Sequence, residues 1–65
     1  MKIIVNGQSL EVAATLLDAV LGELGYGEAR VATALNGEFV PAPARASTSL
    51  GNGDRVEILA PMQGG

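Results

Sequence analysis

Two Asn-Gly pairs, Asn6-Gly7 and Asn36-Gly37, constrain this chain more than any other feature. Each lies between short β-rich runs. A two-residue type I′ turn needs positive φ at both central positions, and Asn-Gly is the pair that meets this at least steric cost. Lys2-Ile3-Ile4-Val5 runs into the first pair, and Gln8 to Val12 returns from it. Leu10 and Val12 share one face of that return, Ser9 and Glu11 the other. Val31-Ala32-Thr33-Ala34-Leu35 runs into the second pair, and Glu38-Phe39-Val40 returns as far as Pro41. The chain therefore predicts two β-hairpins.

The segment between them predicts a helix. Leu17, Val20, Leu21 and Leu24 recur at i, i+3, i+4 and i+7. Thr15 is the expected N-cap with Asp18 three residues on, and Gly25 is placed for the left-handed residue past the end, giving a helix of about ten residues. After the second hairpin, residues 41–49 hold Pro41 and Pro43, which exclude a central strand, and read as a turn-rich connection across the surface. Leu50 reads as a core plug and Gly51-Asn52-Gly53-Asp54 as a tight turn. A last strand through Leu59 sets Val56 and Ile58 against Arg55, Glu57 and Leu59. This order predicts an α+β domain over residues 1–60, with one main helix packed across a mixed sheet of about five strands, and a flexible tail over 61–65. With no second layer of helices, one sheet face stays open. Phe39, Leu59 and Met62 are the candidates for an apolar docking patch on it, and Phe39 reads equally well as core.

Composition narrows the function. At 65 residues the chain is one domain, of a size that buries only about 60% of its unfolded surface. Hydrophobic content of 48% argues against disorder, and with one Phe, one Tyr and no Trp the core must be aliphatic. No cysteine or histidine is present, which removes disulfides, thiolate metal sites and cysteine nucleophiles. No metal site is expected. Neither a signal peptide nor an apolar run of the roughly 18 residues that span a bilayer is found, so the expected location is cytoplasmic, away from membranes. A net charge of −3, with cations scattered at Lys2, Arg30, Arg45 and Arg55, disfavours nucleic acid. Gly25-Tyr26-Gly27 has Arg30 where a dinucleotide fingerprint needs its third glycine, and the turn at 51–54 lacks the Gly-Lys-Ser/Thr ending of a phosphate loop.

The chemistry converges on the end of the chain, Pro61-Met62-Gln63-Gly64-Gly65. A terminal Gly-Gly has no Cβ to obstruct a narrow enzyme channel and carries a carboxyl group at its tip. Gly65 is the candidate reacting residue, with Met62, Gln63 and Gly64 threading the channel. Together with Ile4-Val5-Asn6-Gly7, the run from Val31 to Pro41, Thr48-Ser49-Leu50 and the run from Gly53 to Leu59, this ending resembles the thiazole-biosynthesis sulfur carrier proteins, the ThiS family. The resemblance covers essentially the whole chain. It departs at two places, where Ala42 and roughly Arg45 stand for a basic and an aromatic residue common in the family.

The resemblance implies a ubiquitin-like β-grasp fold and a protein that is a co-substrate, not an enzyme. A ubiquitin-activating-like adenylyltransferase, using its own ATP and Mg²⁺, would adenylate Gly65. A persulfide-bearing sulfur-donor protein would supply the sulfur of a thiocarboxylate, and thiazole synthase would consume it. No cofactor would be bound by the chain itself. The residues leave open the small subunit of molybdopterin synthase, a modifier joined to lysines of other proteins, and a passive β-grasp binding module.

Overall fold

The computed structural model describes residues 1–27 and 29–60. The Asn-Gly pairs make the expected turns, with φ of 50° at Asn6 and Asn36, 84° at Gly7 and 86° at Gly37. The first joins β1 (Lys2–Val5) to β2 (Gln8–Glu11), and the second joins β3 (Ala32–Leu35) to β4 (Glu38–Val40). The last strand, β5 (Arg55–Leu59), lies between the two hairpins, so the sheet runs β2-β1-β5-β3-β4. β5 pairs parallel with β1, Val5 opposite Val56, and antiparallel with β3, Thr33 opposite Ile58. This five-stranded mixed sheet with one helix across a face is the β-grasp arrangement.

The alternation in β5 places Val56 and Ile58 on the covered face, where they join Ile3, Val5, Val40 and Leu50 in the core. Helix α1 (Leu17–Glu23) buries Leu17, Val20 and Leu21 against them, while Leu24 is half-buried at its end. The helix ends as predicted. Gly25 has φ of 93°, its N–H donates to the Gly22 carbonyl and the Tyr26 N–H to the Leu21 carbonyl, the paired bonds of a Schellman motif.

The helix start differs from expectation. Thr15 is not the N-cap, and the helix has seven residues, beginning after an extended Leu16 with no side-chain cap. Tertiary pairing takes over the segment instead. Leu16 forms an isolated antiparallel bridge with Ser49, the Leu17 N–H donates to the Thr48 carbonyl at 2.9 Å, and the Leu50 N–H donates to the Thr15 carbonyl at 2.8 Å. One unpaired helix N–H is thus satisfied from the chain before β5, which also delivers Leu50 to the core. The loop into the helix is held from the far end, since the Glu23 carboxylate accepts the N–H groups of Ala13 and Ala14 at 2.9–3.0 Å.

The connection after Pro41 also differs from a plain surface crossing. Residues Ala42–Ser47 form a 3₁₀ helix with Pro43 in its first turn, and Ala44 packs against the core. Arg45 reaches back to the sheet. Its Nε donates to Thr33 Oγ1 at 3.0 Å and its Nη2 to the Val31 carbonyl at 2.6 Å, while the Thr33 hydroxyl donates to the Val40 carbonyl at 2.8 Å. Thr33, 2% exposed, is thereby fully satisfied.

Two outcomes follow from these contacts. Thr33→Val keeps the shape but strips the hydroxyl from both neighbours, and should cost about 1–3 kcal/mol in urea unfolding. Backbone donation from Ala14, and then Ala13, holds the Glu23 carboxyl below its ordinary range. The folded pKa lies below the unfolded one, so this contribution is complete above the unfolded value of about 4.3 and fades as pH falls through the folded value. Melting curves should accordingly show Glu23→Gln less stable than the parent at pH 7, with the gap closing as pH falls below about 4.

Candidate functional site

In the sequence β5 is followed by Ala60 and then by Pro61-Met62-Gln63-Gly64-Gly65. Met62, Gln63, Gly64 and Gly65 lie outside the described residues, as does the expected 61–65 tail, so the described part of the site is the surface at its root. How β5 is held there depends on a side chain. After Val5 the β1 chain turns away, which would strip Ile58 of a parallel neighbour. The Asn6 amide takes that place, its Nδ2 donating to the Ile58 carbonyl at 3.1 Å and its Oδ1 accepting the Ile58 N–H at 2.8 Å. At the strand's beginning Asn36 adds to the β3 side, its Oδ1 accepting the Arg55 N–H at 2.9 Å while its Nδ2 donates to Asp54 Oδ1 at 3.2 Å. Both asparagines read locally as turn formers, and no local signal distinguishes the longer-range duty.

Phe39 and Leu59 both face solvent, 67% and 69% exposed. The register decides the question left open for Phe39: it lies opposite Ala34, whose other neighbour is Glu57, all on the uncovered face, whereas Val40 points to the core. Leu59 lies opposite Ala32 on that same face. Strand spacing and rise put the two large side chains roughly 12 Å apart, on a diagonal across the sheet. Ala32 and Ala34 lie between them, with Glu57 beside Ala34, while Met62, the third candidate for the patch, lies outside the described residues.

On the flank of Leu59 the surface opens into a groove of about 620 Å³, lined by Arg30, Val31, Ala32, Ala42, Arg45 and Leu59 and reaching Ala60. Arg45, at a position where the sequence departs from the family resemblance, is thus both a strut for β3 and part of this wall.

Among the described residues no cluster of three or more acidic, cysteine or histidine side chains is placed to hold a metal. No helix there is long and apolar enough to cross a membrane. Among the described residues two carboxyls have displaced titration: Glu11 is held low by a hydrogen bond from the Met1 amino group at the β2 edge of the sheet, and Glu23 by the backbone N–H groups of Ala14 and Ala13. What this surface offers chemically is recognition: a firmly held strand, two apolar points and a groove at the place where the chain's end begins.

Four likenesses bear on that surface. A family model described as the ThiS family matches residues 3–65. The crystal structure of a thiamine biosynthesis protein, ThiS, from Geobacter metallireducens superposes with a TM-score of 0.84 at 33% identity, covering 100% of both chains. A solution NMR structure of a thiamine biosynthesis protein from the same organism gives 0.80 at 32% identity, covering 100% of this chain and 88% of the other. A thiazole synthase of Paramagnetospirillum magneticum is 38% identical over 66 residues, which take in all of this chain but only 20% of the relative. The chain thus spans about a fifth of that relative's length.

If Phe39 and Leu59 serve contact and not folding, Phe39→Ala and Leu59→Ala should each change unfolding free energy by less than about 0.5 kcal/mol. Leu17→Ala, at a fully buried position, should cost about 2–5 kcal/mol in the same denaturant titration.

Proposed function

The chain belongs to the ThiS family, and on that premise we propose that it is a sulfur carrier of thiamin biosynthesis, loaded and unloaded at Gly65. The observation that carries the reading is that the family match extends through the Gly-Gly end. A terminal carboxyl, with an ordinary pKa of about 3.3–3.7, is ionised at neutral pH and is a poor electrophile. An activating enzyme of the ubiquitin-activating type joins a Gly65 carboxylate oxygen to AMP, with ATP and Mg²⁺ as its own reactants and pyrophosphate leaving. Sulfur from a persulfide donor then attacks the carbonyl carbon and AMP departs. Cleavage of the donor's sulfur–sulfur bond by a thiol leaves the thiocarboxylate.

Thiazole synthase takes that sulfur and returns the carboxylate. Support for this partner comes from the relative that is a thiazole synthase and contains a segment homologous to the entire chain. In this reading the domain is a cytoplasmic co-substrate that contributes reach and recognition, and its partners supply the catalytic groups. Gly64 has to pass a channel too narrow for a Cβ, and Met62 and Gln63 thread behind it.

Top-down mass spectrometry of the protein from thiamin-starved cells tests the loading step, with fragmentation through the C-terminal segment. Sulfur localised to Gly65 is the expected result. Fragmentation is essential, because exchange of oxygen for sulfur nominally equals oxidation of Met1 or Met62 to the sulfoxide. Gly64→Val should melt like the parent yet carry no sulfur. Gly65 found only as a free carboxylate, or a ladder of higher-mass conjugates, would overturn the proposal.

A further inference from the structure

The chain has four cations, and two of them, Arg30 and Arg45, line the one groove beside Leu59. Lys2 and Arg55 are differently placed. Lys2 lies opposite Glu11 in the β1–β2 register, and Arg55 and Glu57 share the outward side of β5. Each therefore has an acidic neighbour on its own face. The ion pair found among the described residues joins the Met1 amino group to Glu11 at 2.9 Å, and involves neither groove arginine. Both hydrogen bonds of Arg45 go to neutral oxygens, Thr33 Oγ1 and the Val31 carbonyl, which fix the guanidinium without cancelling its charge. Arg30 is exposed.

The rest of the wall is small and apolar. Val31, Ala32, Ala42 and Leu59 leave about 620 Å³ open, enough for an extended stretch of another chain but without polar groups to bind its backbone throughout. On a domain with net charge −3, an acidic partner surface is repelled in general and attracted here, so this local charge fixes register more than it adds raw affinity. Ala60 borders the groove, so an enzyme that binds the residues following it in the chain works within a few residues of this wall.

We infer that the groove receives an extended segment of thiazole synthase bearing a carboxylate between small apolar side chains, the carboxylate set against Arg30 and Arg45. This rests on the reading above that thiazole synthase unloads the carrier. It adds which surface is docked and what chemistry it meets.

Calorimetric titration of the unloaded chain with the thiazole synthase of the same organism tests the inference without ATP or sulfur. Arg30→Glu should weaken binding about tenfold or more at low salt. Ala42→Trp, which fills the groove from an exposed position and leaves the charge alone, should weaken it comparably. Both variants should melt like the parent. Affinity of the parent should fall between about 50 and 300 mM salt, as screening tightens, and that of Arg30→Ala should fall less. Parent-like binding by both Arg30→Glu and Ala42→Trp would overturn the groove while leaving thiazole synthase as the partner. No binding by the parent itself would overturn both.

Discussion

Everything in this domain depends on β5 being paired along both sides. A strand at the centre of a sheet has backbone donors and acceptors pointing both ways, and each left without a partner away from water costs about as much as a lost hydrogen bond. On one side β3 supplies a continuous antiparallel ladder from Ala32 to Leu35. On the other, β1 is too short, and its parallel register covers only Arg55 and Val56. The Asn6 amide completes that side by presenting one donor and one acceptor to Ile58, as a strand residue would. Asparagine thus does two jobs with one side chain. It tolerates φ of 50° in the turn, and its amide extends the sheet past the point where the backbone has left.

The pattern of the chain carried the fold where structure is local. Hairpins at Asn6-Gly7 and Asn36-Gly37, the Leu17-Val20-Leu21 stripe, the left-handed Gly25 and the in-out alternation of β5 are all set by neighbours within a few residues. The start of the helix was not legible, because Thr15 and Leu16 obey residues 48–50 and not their own capping preference. Arg45 was not legible either: a long cation in a proline-rich connection looks solvated, and only the folded register shows Thr33 and the Val31 carbonyl waiting for it. For the candidate site, the outward Leu59 could be read from residues alone. Phe39 could not: the turn fixes its pairing with Ala34, but which face of that hairpin is covered is decided by packing with the rest of the fold.

Polar groups are therefore spent on holding the framework, and few are placed to do chemistry. Thr33, Asn6, Asn36 and Glu23 are all engaged in hydrogen bonds with main chain. The uncovered sheet face presents the exposed side chains of Phe39 and Leu59, and the flank presents two arginines beside small side chains. A surface of this kind discriminates among partners by position. That is what the proposed carrier role asks of the domain, with the catalytic groups supplied by its partners.

The parallel pairing of β1 with β5 joins residues about fifty apart in the chain, Ile4 with Arg55 and Val5 with Val56. Such contacts form only after the entropy of closing the intervening loop has been met, which makes them late in folding. While the chain is being synthesised, a product that stops short of residue 55 holds two hairpins and a helix with no strand to join them. The sheet closes only when β5 has emerged from the ribosome, and the residues that follow it come next. Completion of the sheet therefore waits on β5, so that a product truncated before residue 55 lacks the strand that joins its two hairpins.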